Sequence, residues 1–331
     1  MASDKVSVIM SVYNEEIGIL REAIESILNQ SYKNIQFIII IDNPGYEGAK
    51  KILNEYSKED KRIEIIENYE NIGLVNSLNK GLKLANGEFI ARMDADDLAH
   101  KDRIKIQLES IYKFKCDFIT SRSNVINENG EFLYKVNNSS LNYKKSNKIL
   151  GIKCIHFHPT WFFKREILDT IGEYNHRDYV EDYDFLCRVA INGFKIVTIP
   201  EYILDVRVRE KGITKSNIYE QYLNSKLIRK AFKKAIKNND INIYESILDK
   251  GIEVNIDEKS KYINQFNTYK EMSTKLKNER SINSILSFSL KLLFNKYGKE
   301  EFFRNMVVKI NLLNKESMVI KYGDNKEKNF K

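Results

Sequence analysis

The densest group of reactive side chains in the sequence is a set of three aspartates, Asp94, Asp96 and Asp97, at the end of an apolar run. Side chains at positions i and i+2 of an extended segment point the same way, so Asp94 and Asp96 face one target. Converging carboxylates raise one another's pKa, and a bound divalent cation removes that repulsion. Oxygen ligands favour a hard cation such as Mg²⁺ or Mn²⁺, which often completes its ligand shell with water and substrate phosphate. The cluster therefore predicts a metal site for a phosphorylated substrate.

Two other polar stretches, YNEE at 13–16 and DNPG at 42–45, also follow apolar runs. Open α/β sheets bind their ligands at the carboxyl ends of the strands, so we expect these stretches to lie near the aspartates. The alternative is a solvated loop in which Asp97 caps the helix that begins near residue 101.

The first 97 residues alternate between short β-branched runs and helical patterns. The runs are apolar on both faces, which is typical of a parallel sheet covered by helices. The predicted strands are Val6–Val12, Ile35–Asp42, 62–68 and 88–94. The predicted helices are Ile17 to Gln30, 48–59 and 74–85, the last ended by Asn86 and Gly87 as a C-cap. This order of elements indicates an α/β layer structure.

The pattern is less regular after residue 97. We predict a helix at 101–113, a strand at 117–121, hairpins and a loop over 122–155, and a strand that passes into a helix over 158–174. A helix at 181–194 starts with acidic residues and ends at Asn192 and Gly193, and a strand follows at 195–200. From about residue 214 the sequence is helical and rich in lysine.

Composition excludes several classes of protein. The 331 residues carry a net charge of +8, but residues 1–204 hold 27 basic and 30 acidic side chains, whereas residues 205–331 hold 27 and 16. The basic excess lies in the last third, which favours an anionic membrane surface over nucleic acid as a partner. We expect no transmembrane helix and no secretory signal, and the three scattered cysteines fit a reducing compartment. The absence of a dinucleotide fingerprint, a P-loop and a serine nucleophile elbow disfavours those enzymes.

Five motifs in order resemble a family-2 glycosyltransferase of the GT-A fold. They are VSVIMSVYNEE, IIIIDN, NIGLVNSLNKGLKLANGEFIARMDADD, HPTWFFKRE and EDYDFLCRV, and together they span roughly residues 5–200. The resemblance implies a Rossmann-like, mostly parallel sheet with helices on both faces. It also implies a catalytic domain at 1–210, with a nucleotide-binding half at about 1–97 and an acceptor half at about 98–210. Residues 211–331 would form a basic, mainly helical extension.

The resemblance also assigns roles to residues. Asp96 and Asp94 would hold the metal, Asp182 would be the general base, and His158 and Glu181 would line the acceptor site. The donor nucleotide would contact Val12, Tyr13, Asn14, Glu15, Asp42, Asn79, Arg92, Asp94 and Ala95. The family's ARN stretch reads SLN here, at 77–79, so the arginine that commonly precedes Asn79 is replaced by Leu78. Arg92 could replace it as a diphosphate contact, or could instead pair with an aspartate.

Asp182 opens a helix, and we expect the helix dipole to lower its pKa and keep it ionised. The alternative for this segment is a capped helix start, with Glu181 and Asp182 as caps and Asp184 exposed. His158 could likewise be a hydrogen-bonded structural histidine.

The implied activity is inverting and metal-dependent transfer, with Mn²⁺ or Mg²⁺, from a nucleotide sugar, most simply a UDP-sugar. The acceptor would be a glycan, polyprenyl-diphosphate-linked, in surface polysaccharide synthesis, with the enzyme in the cytoplasm or on the inner face of the membrane. A nucleotidyltransferase and a catalytically silent GT-A binding protein are the alternatives. Residues 281–313, which mix lysines with aliphatic and aromatic residues, could lie on an anionic bilayer or pack on the core as a helical subdomain.

Overall fold

A computed structural model of the chain describes residues 4–136, 140–208, 217–279 and 281–313. Within these residues the chain forms one nine-stranded sheet and twelve α-helices. The strands are β1 Val6–Val12, β2 Ile35–Ile41, β3 Ile63–Glu67, β4 Phe89–Asp94, β5 Leu98–Ala99, β6 Phe118–Ile126, β7 Phe132–Val136, β8 Phe162–Lys164 and β9 Ile196–Arg207. The first seven helices are α1 Ile17–Leu28, α2 Glu47–Glu59, α3 Gly73–Leu84, α4 Arg103–Phe114, α5 Tyr143–Leu150, α6 Ile167–Ile171 and α7 Glu181–Ile191. The C-terminal helices are α8 Ile218–Asn238, α9 Ile241–Leu248, α10 Ile256–Glu279, α11 Ile282–Leu293 and α12 Lys296–Leu313.

The strand order is β3-β2-β1-β4-β8-β6-β9-β5, and β7 pairs with β6. Strands β3, β2, β1 and β4 are mutually parallel, and β6 is parallel to β9. The short strand β8 runs antiparallel to β4 and β6 and joins the two parallel groups into one sheet. The predicted mostly parallel α/β sheet is confirmed.

Helices cover both faces of the sheet, and the sequence of the strands shows why. In β1, Val8 and Met10 pack on the layer that contains α1, α2 and α4, whereas Ile9 packs on the opposite layer with α3, α7, α8 and α9. In β2, Ile39 and Ile40 divide in the same way. Alternate side chains of a strand face opposite layers, so a strand buried on both faces needs an unbroken apolar run.

The structure departs from the predictions in the second half of the sheet. Helix α5 lies inside the stretch that was predicted to form hairpins and a loop. The sequence did not indicate a helix there, because α5 buries only Ser146, Ile149 and Leu150 and its other residues are polar. Strand β9 continues past Pro200, where the prediction stopped. The ladder between β6 and β9 shifts register after Ser121, which lets the strand pass the proline, since proline cannot donate to a ladder.

The prediction that Asn86 and Gly87 form a left-handed C-cap is wrong. Helix α3 ends at Leu84, and its C-cap residue, Ala85, has extended backbone geometry. Gly87 is not among the glycines with positive φ. A Cβ at Gly87 would lie 2.6 Å from the carbonyl oxygen of Lys5. The glycine is needed because the chain passes against β1. By contrast, Gly193 after α7 does have a φ of +84°, as predicted.

The C-terminal helices differ in how they join the rest of the molecule. Side chains of α8 and α9, among them Phe232 and Tyr244, belong to the same apolar core as α7. Helices α10, α11 and α12 instead pack on one another through a smaller cluster around Phe288, and a second cluster around Tyr262 joins α10 and α12 to α8. The predicted start of the helical region near 214 and the last residues, 314–331, lie outside the described part of the chain.

Candidate active site

Three parallel strands bring the predicted polar stretches to one edge of the sheet. The register pairs Val12 with Ile41, and Ser11 with Asp94, so the ends of β1, β2 and β4 are level. Asp42, Tyr13 and the aspartate cluster therefore follow adjacent strand ends, where open α/β sheets bind ligands.

The three aspartates form a compact group. One carboxylate oxygen from each of Asp94, Asp96 and Asp97 lies within 4.8 Å of the others. Asp97 is buried, and burial, then the neighbouring charges of Asp94 and Asp96, raise its pKa well above the usual range. Its Oδ1 accepts a hydrogen bond from the backbone N–H of Arg207, and its Oδ2 is buried without a partner. Asp97 does not cap α4, whose N-cap is Asp102.

Arg207, at the end of β9, holds the aspartate loop in place. Its Nε donates to the carbonyl oxygen of Asp96 at 2.9 Å, and one Nη donates to the carbonyl of Glu128 at 2.8 Å. The other Nη pairs with Glu22 of α1 at 2.7 Å, and the Arg207 side chain is 1% exposed. One buried guanidinium thus ties the aspartate loop to α1 and to the turn after β6.

Two further buried arginines, Arg92 and Arg103, contact β4 next to the aspartates. Arg92 forms an ion pair with Asp94, as one of the two sequence interpretations expected. Burial opposes the charge of Arg92, but the attraction of Asp94 outweighs it and raises the pKa of the guanidinium. Arg103 of α4 donates to the carbonyl oxygens of Arg92 at 2.6 Å and Pro159 at 2.8 Å, and burial lowers its pKa to about 10. Arg103 therefore joins β4 to the turn that carries His158.

Asp42 occupies a polar network behind the end of β2. Its Oδ1 accepts from the side-chain amide of Asn68 and from the backbone N–H of Ile72, each at 2.9 Å. Asn68 also donates to Ser77 and accepts from Lys80. These contacts place the start of α3 against β2, and Asp42 itself is 3% exposed.

The predicted donor-contact residues at the ends of β1 and β4 differ in their exposure to solvent. Tyr13 and Asn14 are exposed at the end of β1, and the backbone N–H of Tyr13 donates to Glu15 Oε2. Val12 and Ala95 are buried, and the carbonyl oxygen of Val12 accepts from the N–H of Asp42.

Asn79 is committed to another partner. Its amide donates to the carbonyl oxygen of Tyr174 and accepts from the Tyr174 N–H, each at 2.9 Å. These two bonds join α3 to the segment before α7.

His158 begins a 3-10 turn, His158–Thr160, beside β4. Its Nε2 forms a hydrogen bond with the hydroxyl of Tyr174 at 2.7 Å, and its ring packs against Trp161. Burial and then the charge of Arg92 lower the pKa of His158 well below its usual value. The imidazole is therefore neutral at neutral pH.

Glu181 and Asp182 form the first turn of α7. Burial raises the pKa of Asp182 to about 6, although the N–H of Tyr183 donates to it at 2.6 Å. Burial and then the charge of Asp182 raise the pKa of Glu181 to about 7. The expectation that the helix terminus would lower the pKa of Asp182 is wrong, because loss of hydration outweighs the helix dipole and its hydrogen bond. Neither residue is the N-cap, which is Val180.

The neighbouring Asp184 is fully buried, which contradicts the reading of this segment as a capped helix with Asp184 exposed. Its carboxylate accepts from Arg188 at 2.8 Å and from the Tyr244 hydroxyl at 3.0 Å. Asp184 thus fixes α7 to α9, whereas Asp182, two residues earlier, accepts a hydrogen bond from the backbone N–H of Tyr183.

Arg92 connects the two acidic groups. It pairs with Asp94 on one side, and on the other its charge lowers the pKa values of both Asp182 and Glu181 against the effect of burial. The aspartate cluster and the start of α7 therefore lie in the field of one guanidinium.

The aspartate cluster fits a divalent cation. Its ligand atoms are all carboxylate oxygens, which Mg²⁺ and Mn²⁺ prefer. The buried Oδ2 of Asp97 has no hydrogen-bond partner, and burial, then the charges of Asp94 and Asp96, raise the pKa of this carboxyl. Added positive charge would relieve that repulsion.

Sequence reasoning missed the arginines that organise the site, Arg103 and Arg207, and the tyrosine that holds His158. Arg207 lies seven residues beyond the end of the predicted strand. The alternating pattern of YILDVRV after Pro200 was the available signal, because it continues a strand of period two.

The sheet order, the acidic cluster after β4 and the carboxylate pair on α7 define a GT-A-type glycosyltransferase. The model of the family "Glycosyl transferase family 2" matches residues 7–172, half of the chain. An uncharacterized glycosyltransferase of Methanocaldococcus jannaschii is 35% identical over 240 residues, covering 72% of this chain and 83% of that protein. The O-antigen biosynthesis glycosyltransferase WbnJ of Escherichia coli is 30% identical, over 71% of this chain and 92% of its own length. The chain belongs to glycosyl transferase family 2.

A solved structure supports the fold. The S. aureus protein TarS, residues 1–349, in complex with UDP-GlcNAc superposes with a TM-score of 0.56 over 77% of each chain, at 20% identity. Among the described residues, no helix is both long and apolar enough to cross a bilayer.

Proposed function

We propose that the chain is an inverting, metal-dependent glycosyltransferase. It would transfer a hexose or N-acetylhexosamine from a UDP-sugar to a lipid-linked glycan at the cytoplasmic face of the membrane, in surface polysaccharide synthesis. The observation that carries the proposal is that Arg92 pairs with Asp94 and that its charge also acts on Asp182, a carboxyl whose pKa burial raises to about 6. The S. aureus neighbour's complex with UDP-GlcNAc and the E. coli relative's role in O-antigen biosynthesis support the donor and pathway.

Asp94 and Asp96 would hold the cation. A cation bound there would neutralise the charge that develops on the leaving diphosphate, an effect of several kcal/mol. Arg207 keeps the backbone of Asp96 in place, and Arg92 pairs with the carboxylate of Asp94. Tyr13 and Asn14, exposed beside the cluster, are available to the nucleotide.

Asp182 would accept the proton of the acceptor hydroxyl as its oxygen bonds the anomeric carbon and the bond to the diphosphate breaks. A carboxylate with a pKa near 6 is a stronger base than an ordinary aspartate and is still ionised at neutral pH. One direct displacement inverts the anomeric configuration. Glu181 and His158 would contact the acceptor.

The first test is the Asp182→Asn variant. It should retain nucleotide-sugar binding, measured by calorimetry, and lose transfer by at least about two orders of magnitude, because the base is gone. The matched control is Asp169→Asn, the same change at an exposed position of α6, which should leave transfer unchanged. Near-wild-type transfer by Asp182→Asn would remove the base assignment.

The second test is a panel of nucleotide sugars with Mn²⁺, Mg²⁺ or EDTA. UDP-sugars should be turned over, EDTA should abolish the activity, and either cation should restore it, because Asp94 and Asp96 act through the metal. Full turnover in EDTA would contradict the metal role. Pyrophosphate release from a sugar phosphate and an NTP would instead identify a nucleotidyltransferase.

A further inference from the structure

Helices α11 and α12 turn many apolar side chains toward the solvent. Their inner faces are filled, since Phe288 and Leu292 pack on Tyr269 and Met272 of α10. The outward residues, here named the α11–α12 surface, are Ile285, Leu286, Leu290, Leu293, Phe294, Phe303, Met306, Val307 and Ile310. Their exposed fractions run from 39% to 87%. Exposed apolar residues in such number mark an interaction site.

The spacing of these residues produces one stripe on each helix. On α11, Leu286, Leu290 and Leu293 follow at i, i+4 and i+7. On α12, Phe303, Val307 and Ile310 repeat the same spacing, with Met306 beside them. Each helix therefore has two apolar faces, one that packs toward α10 and one that faces the solvent.

The charges of this segment are divided by sign. Lys291, Lys296 and Lys309 are exposed. The two acidic residues point inward, since Glu300 accepts from the Tyr222 hydroxyl at 2.5 Å and Glu301 pairs with Lys153 at 2.8 Å. Within residues 281–313, the exposed charged side chains are thus all lysines, of which Lys296 also lies 3.8 Å from Glu258 of α10.

We propose that the α11–α12 surface binds an anionic lipid bilayer. The apolar stripes would enter the boundary between headgroups and acyl chains, and the three lysines would contact the lipid phosphates. A second copy of the chain suits this surface less well. In a two-fold contact the patch meets itself, so the lysines would face one another without an exposed acidic partner.

The proposal deepens the lipid-linked acceptor of the proposed function, but the binding itself needs no donor, metal or acceptor. It is tested by flotation of the full chain, without nucleotide sugar or cation, on two kinds of vesicle. One contains phosphatidylcholine alone and the other contains phosphatidylcholine with phosphatidylglycerol. We expect binding to the anionic vesicles that weakens as salt is added, because the lysine contacts are screened. Equal binding to both kinds of vesicle, or none to either, overturns the proposal.

The charge contribution is tested by the triple change Lys291→Gln, Lys296→Gln and Lys309→Gln. Each lysine at an anionic surface contributes about fivefold to partitioning, so the triple variant should bind at least about tenfold more weakly. The matched control removes three exposed lysines from the other end of the molecule, Lys51→Gln, Lys58→Gln and Lys61→Gln, and should bind like the wild type. An equal loss in both variants would show a response to net charge alone and would contradict a lipid-binding surface.

The apolar contribution is tested by Leu290→Ser with Leu293→Ser, compared with Phe132→Ser and Leu133→Ser on β7, which are also exposed. The α11 pair should lower vesicle binding at least about tenfold and the β7 pair should not. Circular dichroism establishes that both variants are folded. If light scattering instead shows a wild-type dimer that the α11 pair dissociates, with vesicle binding unaffected, the surface joins two copies of the chain and the proposal is wrong.

Discussion

The two acidic groups of the site have the same side-chain chemistry and different surroundings. Asp94, Asp96 and Asp97 are organised by arginines, since Arg92 pairs with Asp94, the Arg207 side chain donates to the backbone carbonyl of Asp96, and the Arg207 backbone N–H donates to the Asp97 carboxylate. Glu181 and Asp182 have no ion pair among the described residues, and burial raises both pKa values.

This difference underlies the two chemical purposes that we propose for these acidic groups. Asp94 and Asp96, which arginines hold at the carboxylate and at the backbone, suit a metal, and a bound cation would also offset the raised pKa of buried Asp97 beside them. Carboxylates that are buried without an ion pair hold their protons more tightly and suit proton transfer. The surroundings, more than the residue type, separate the two roles.

The largest effect should follow from removing the arginine that organises the first group. Arg207→Met leaves the carbonyl of Asp96 and the loop at Glu128 without their donor, so the aspartates lose their fixed positions. We expect at least about a tenfold rise in the Mn²⁺ concentration needed for half-maximal transfer. The measurement is a metal titration of transfer, with the thermal midpoint recorded in parallel.

The matched control is Glu22→Gln, which removes the ion pair of Arg207 and retains its bonds to the aspartate loop. Its metal requirement should stay close to that of the wild type. A lower thermal midpoint in Arg207→Met with an unchanged metal titration would show that the arginine serves stability alone.

The second group should appear in the pH dependence of transfer. Because the base must be ionised, kcat/KM should fall as the pH decreases through the range set by the two pKa values, about 7 for Glu181 and about 6 for Asp182. Stability should move the opposite way. Both native pKa values exceed those of an unfolded chain, so the native state binds more protons and the free energy of unfolding falls as the pH rises through this range.

Glu181→Gln tests whether Glu181 and Asp182 influence each other's pKa, because it removes the charge beside Asp182. The acidic limb of the kcat/KM profile should shift to lower pH, since ionised Asp182 no longer faces a second carboxylate. A limb that moves to higher pH would contradict the view that the two carboxyls repel one another.

The smallest effect concerns the carboxylate that is paired on the same helix. Tyr244→Phe removes the hydroxyl that donates to buried Asp184 and leaves the Arg188 pair intact. We expect a loss of about 1–2 kcal/mol in the free energy of unfolding, measured by denaturant titration. Tyr112→Phe is the control, because its hydroxyl bonds Asp4 at the surface and its loss should cost less than about 0.5 kcal/mol. Equal losses would contradict the importance of burial at Asp184.

Much of the first half of the fold was predictable from local pattern. Strand β1 was predicted with its observed bounds, and β2 within one residue, because unbroken β-branched runs identify strands buried on both faces. The local sequence pattern was less informative where an element depends on contacts with residues far away in the chain. Helix α5 has a polar sequence, and β9 passes a proline that only its register with β6 accommodates.

The candidate site shows the same division. That Asp42 and Asp94 lie at the same carboxyl edge of the parallel sheet could be inferred from the strand pattern alone. That Asn79 bonds Tyr174, and that Asp184 is buried beside Tyr244, could not, because the partners are 95 and 60 residues away in the chain.

The sequence by itself determined the family, the parallel half of the sheet and the positions of the carboxylates, because apolar runs and short motifs are local. Only the tertiary structure decided the state of those carboxylates. A pKa depends on burial and on charges that arrive from distant segments, and here burial overrides the helix dipole at Asp182 while Arg207 reaches the aspartate loop from the far end of β9.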